Sequence, residues 1–120
     1  MKSYTDISQS KKLAEFLPHE SADHTWQRIA IAGANLDVPE EDQYWHNGNM
    51  PFKFCRGMGV PCWSLASLLG VMPEVSLNAF RDGNWNAMVQ HDGKMIYGDK
   101  NNPVDACVAM IEKLHEQKLL

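Results

Sequence analysis

Two Asp-Gly pairs, Asp82-Gly83 and Asp92-Gly93, separate three runs of alternating polarity, "VSLNAF", "NWNAMVQ" and "KMIYG". No other feature leaves the backbone less choice. Glycine accepts positive φ and aspartate bonds its own backbone, so Asp-Gly between alternating runs specifies a tight hairpin. An antiparallel meander over residues 75–98 follows. Trp85, Ala87 and Val89 fall on one face, with Asn84, Asn86 and Gln90 opposite. Such a sheet has one wet side and one side that must be covered.

The cover is written further along. In "NNPVDACVAMIEKLHEQK", Asn102 is the cap, Pro103 the first helical residue and Asp105 the third. Val104, Cys107, Val108, Ile111 and Leu114 line one stripe of a helix over residues 103–117. Lys113, His115 and Lys118 stand near its C-terminus, where the helix dipole favours cations.

Two more helices are expected. Asp6 caps one over residues 7–17, with Gln9 reaching back as in a capping box and Pro18 as the stop. The other, over residues 64–72, is capped by Ser64 and ended by Pro73. Trp63 before its cap and Leu68 four positions after have the spacing of a hydrophobic staple. "TWQRIAIA", residues 25–32, reads as a strand with Ile29 and Ile31 on one face and Trp26 on the other. Residues 33–60 lose periodicity and read as a long loop, with "PFKF" as a short strand within it.

The expectation is one α+β domain over residues 1–120. Three helices pack on one face of an antiparallel three- to four-stranded sheet, in the order α-β-loop-α-β-β-β-α. A chain of 120 residues with 44% hydrophobic and 22% charged content can build one core without staples.

Charge narrows the function classes. The formal net charge is −4, and no basic cluster exceeds Lys11-Lys12. Phosphate neutralisation dominates nucleic-acid affinity, so a nucleic-acid partner is not expected. The longest nearly apolar run, "WSLASLLGVM", is far short of a membrane span, and "MKSYTDISQSKK" has no signal-peptide h-region. A cytoplasmic protein without a membrane partner is expected. Cys55, Cys62 and Cys107 are odd in number and not closely spaced, so neither a disulfide framework nor a zinc site is read from them.

Taken together, "SQSKKLAEFLPHESAD", "PCWSLASLLGVMP", the tryptophan-bearing hairpin and "NPVDACVAMIEKLHE" resemble a group of small proteins encoded by phages, prophages and other mobile elements of gut bacteria. The resemblance covers most of the chain outside residues 33–60. It implies an intracellular accessory protein and brings no activity or site residues with it.

Cys62 is the residue most suggestive of catalysis. A thiol at a helix start has its thiolate favoured by the dipole, but a cysteine hydrolase also needs a histidine and a group to orient it. "NWNAMVQHDGKMIYGD" is similar to the strand pair after the nucleophile helix of transglutaminase-like enzymes. In that family the histidine lies two residues before the tryptophan, where this chain has Gly83. His91 stands beside a turn instead, and Asp99 matches the family's acid. The expectation is therefore a structural Cys62, with papain- or transglutaminase-like catalysis by Cys62, His91 and Asp99 as the alternative.

None of the histidines forms the i, i+4 pair of a zinc hydrolase. His19, Asp23 and His24 in "HESADH" are read as solvated loop residues, so no metal and no cofactor are expected. "YWHNGNMPFKF" is the partner-binding candidate, because Tyr44, Trp45, Phe52 and Phe54 are the residue types of interface hot spots. The other reading of these aromatics is a satellite cluster that pins the loop.

The leading function is a non-catalytic interaction protein. A hairpin feeding an "N-P-x-x-A" helix also resembles small antitoxin domains, which leaves an antitoxin-like or RNA-associated module as a further alternative. A homodimer through an edge strand is the oligomer that the first strand would allow.

Overall fold

The computed structural model describes residues 2–29, 39–55 and 59–120. They form two compact units, one of Asp6–Trp63 and one of Met1–Thr5 with Ser64–Leu120. Both units mix helix with antiparallel sheet, as an α+β reading requires.

In the first unit, helix α1 spans Ile7–Ala14, with strands β1 at His24–Arg28, β2 at Tyr44–Asn47 and β3 at Val60–Cys62. The capping box at α1 is complete. The Asp6 carboxylate accepts from the Gln9 amide, and the Gln9 side chain accepts from the Asp6 N–H. The helix stops three residues earlier than its periodicity suggests, and Leu13 and Leu17 are buried. The sheet runs β2-β1-β3, with Thr25 opposite Asn47 and Pro61, and with His24 opposite Cys62.

Three expectations change here. Residues 24–28 do not extend the meander; they are the centre of a sheet of their own. Strand β2 lies where a continuous loop was expected, β3 begins at the last residue of that loop, and "PFKF" forms a 3-10 turn at Phe52–Phe54. Pro61 sits in β3, which pairs only with β1 among the described strands, the edge position where a sheet tolerates proline. Ile29 is exposed, and Ile31 lies outside the described residues.

In the second unit, helix α2 spans Leu65–Val71, strands β4, β5 and β6 span Val75–Ala79, Trp85–His91 and Lys94–Lys100, and helix α3 spans Pro103–Glu116. The meander is as the Asp-Gly pairs specify. Asp92 and Gly93 take φ of 50° and 75° at the tip of the β5–β6 hairpin. Ser64 caps α2 by accepting from the Ser67 amide, and Asn102 caps α3 by accepting from the Asp105 amide.

The whole expected stripe of α3 is buried and packs on β5 and β6, with α2 beside it. Ala87, Val89 and Ile96 form the sheet side of this core. Helix and sheet come close at Gly98, where a Cβ would lie 2.6 Å from the Ala106 carbonyl and 3.0 Å from the Met110 nitrogen. The residues before Thr5 belong to this unit too. Tyr4 bridges to Ser64, Ser3 accepts from the Leu65 amide, and Lys2 pairs with Asp105 at 2.8 Å. The three helices thus do not share one sheet face: α3 packs on β5 and β6, whereas α1 packs with β3 in the other unit.

Candidate functional site

The sheet β2-β1-β3 carries the densest chemistry among the described residues. Its register sorts the side chains by face. His24 on β1 stands directly opposite Cys62 on β3, and Trp26 stands opposite His46 on β2 and Val60 on β3. Strand alternation puts all five residues on the same face. His24, His46 and Cys62 each offer one ligand atom, and these atoms lie within 4.8 Å of one another.

The rings are ordered by local contacts. His46 Nε2 and His24 Nδ1 share a hydrogen bond at 2.9 Å, and His24 Nε2 faces the Asp23 carboxylate at 3.9 Å. The Trp26 ring meets His46 edge-on at 5.6 Å between centroids. Burial, and then the neighbouring His24, hold His46 below the ordinary imidazole range, with Asp23 pulling the other way. Gly48 closes this corner: a Cβ there would come within 3.3 Å of His46 and 3.8 Å of His24. Cys62 is fully buried, and the two histidines are partly exposed.

The opposite face of the sheet is built from Thr25, Gln27, Trp45 and Asn47. Thr25 donates to the Met50 carbonyl at 2.7 Å, and Cys55 lies 3.6 Å from the Thr25 hydroxyl. Trp45 lines a hollow of about 440 Å³ with Gln27, Arg28 and Gly59.

The partner-binding candidates separate. Trp45 and Phe54 are 48% and 62% exposed, while Tyr44 and Phe52 are half-buried. Tyr44 lies under the Lys11 ammonium, and Phe52 meets the His19 ring edge-on. Two of the four are thus exposed, and two pack against neighbouring side chains.

His91 and Asp99 belong to the other unit. His91 ends β5, about half-exposed, with Nε2 3.3 Å from the Asp92 carboxylate. Asp99 on β6 accepts from Asn86 at 2.6 Å. Cys62 is the last residue of a strand, two positions before the Ser64 cap, and the imidazoles described around it are His24 and His46.

The open face of β4-β5-β6 carries a second concentration of side chains, which the sequence reading did not single out. Met88 stands opposite Tyr97 and Gln90 opposite Met95, on the face away from Ala87 and Val89. Phe80, Met95 and Tyr97 are 53%, 38% and 47% exposed. A hollow of about 450 Å³ is lined by Phe80, Tyr97, Asp82, Asp99, Asn84 and Asn86. Another, of about 350 Å³, runs along Glu74, Ser76, Met88, Gln90 and Met95. The available signal was the alternation itself, which puts Tyr97 and Met95 out of phase with the buried Ile96.

No family model, curated protein or solved structure matches the chain. Among the described residues, no helix is long and apolar enough to cross a membrane.

Proposed function

We propose that the protein is a non-catalytic accessory protein of a phage or other mobile element, and that it works by binding a protein partner on the open face of β4-β5-β6. One observation carries the reading: Phe80, Met95 and Tyr97 are large, apolar and exposed on the solvent side of a sheet whose other side is already covered. Aromatic and methionine side chains supply contact area when they leave water, and they are enriched at binding surfaces. Asp82, Asp99 and Glu74 rim the two hollows, so the matching segment is basic. The resemblance to mobile-element proteins supports the accessory role. Against the cysteine-hydrolase alternative stands the complete burial of Cys62, because a nucleophile must be reached by its substrate.

The test compares the wild-type chain with the Phe80→Ala/Tyr97→Ala variant as bait in a producing cell, followed by affinity measurement with the purified, captured protein. A partner bound by the wild type should bind the double variant at least about tenfold more weakly, the usual scale for losing a hot spot. Its binding should also weaken as salt is raised. Equal binding by both baits, or binding that depends on Trp45 and Phe54 instead, would reject this surface.

A further inference from the structure

We infer that His24, His46 and Cys62 form a binding site for a single zinc-like transition-metal ion. Three ligands of two types suited to borderline metals, two imidazoles and a thiol, converge on one face of a three-stranded sheet, each from a different strand, with their donor atoms within 4.8 Å. Zinc bonds nitrogen at about 2.0–2.1 Å and thiolate sulfur at about 2.3 Å, so tetrahedral placement sets nitrogens about 3.3 Å apart and nitrogen about 3.6 Å from sulfur. His46 Nε2 and His24 Nδ1 are 2.9 Å apart, so the rings need to part by only a few tenths of an ångström.

The surrounding groups suit the change in protonation that binding requires. The shared His–His proton must leave the space between the rings, so that both nitrogens there present lone pairs. His24 then carries its proton on Nε2, the nitrogen that faces the Asp23 carboxylate at 3.9 Å. A carboxylate beyond the ligating histidine is the usual device for fixing ring tautomer and orientation. The Cys62 thiol forms its bond to the metal as thiolate and releases one proton to solvent. The partly exposed histidines give the ion its route, with the buried sulfur as the inner ligand. The fourth position falls to a water molecule. This site and the partner surface lie on different sheets, so either proposal can fail without the other.

The experiment titrates the full chain with Co2+, a spectroscopic stand-in for zinc, and then displaces it with Zn2+. The expected result is one ion per chain, with a thiolate-to-cobalt charge-transfer band and tetrahedral visible bands that zinc removes. Cys62→Ser should abolish the charge-transfer band, and His46→Gln should weaken binding at least tenfold. Asp23→Asn should weaken it about tenfold, as outer-shell partners do. Cys55→Ser and Cys107→Ala should leave the spectrum unchanged. His46→Gln changes a partly exposed side chain, so it keeps the test decisive if Cys62→Ser does not fold. Absence of the charge-transfer band in the wild type, or a band that follows Cys55 or Cys107, would overturn the assignment.

Discussion

Cys107 shows how one buried group ties stability to pH. It lies on the inner stripe of α3, and burial pushes its thiol from 9.0 up to about 11. The folded chain therefore resists ionisation that the unfolded chain undergoes freely. The stabilisation is complete below about pH 9 and is lost as pH rises towards about 11, by roughly 2–3 kcal/mol in total. Urea melts at pH 8 and pH 10.5 should thus differ more for the wild type than for Cys107→Ala, whatever the variant's own cavity costs. Caps act at the same scale. Asn102→Ala removes the acceptor for the Asp105 amide and should cost about 1 kcal/mol in the same melts.

Among the elements, two glycines make opposite predictions. Gly98 lies under α3, and an added methyl would meet helix backbone at 2.6 Å, which cannot give way without moving the helix. Gly98→Ala should cost at least about 1–3 kcal/mol by overpacking. Gly70 in α2 has nothing within 4 Å of its would-be Cβ and is helical, so Gly70→Ala should stabilise by about 0.5–1 kcal/mol. A single set of thermal melts checks both.

Legibility in the sequence also divides by element. Asp6, Ser64 and Asn102 announced three helices because a cap is a local event, decided within four residues. The Asp-Gly pairs announced the meander for the same reason. The sheet β2-β1-β3 was not legible, since Tyr44–Asn47 and Val60–Cys62 are too short to establish a period and one contains Pro61. Its pairing is set by long-range register. The neighbours of His24, His46 and Cys62 were hidden with it, because metal motifs are found by sequence spacing and these residues are joined only across strands.

At the level of the whole molecule, charge and exposed apolar surface work together. The chain is acidic overall, yet the open face of β4-β5-β6 holds Phe80, Met95 and Tyr97 between carboxylates. A basic partner gains from both terms, long-range attraction first and apolar contact on docking. Substituting Asp82 and Asp99 together with asparagine should therefore slow association and flatten its salt dependence, while leaving dissociation nearly unchanged. Stopped-flow measurement at two salt concentrations separates the two rates.

The three free thiols have a further use. Each unit hides its own, with Cys55 and Cys62 in one and Cys107 in the other, and all three are buried. An alkylating reagent can reach a sulfur only while the surrounding packing is undone, so the pace of modification at each position counts how often that unit opens. Mass spectrometry of a timed labelling series would then read the opening of each unit from one unmodified chain.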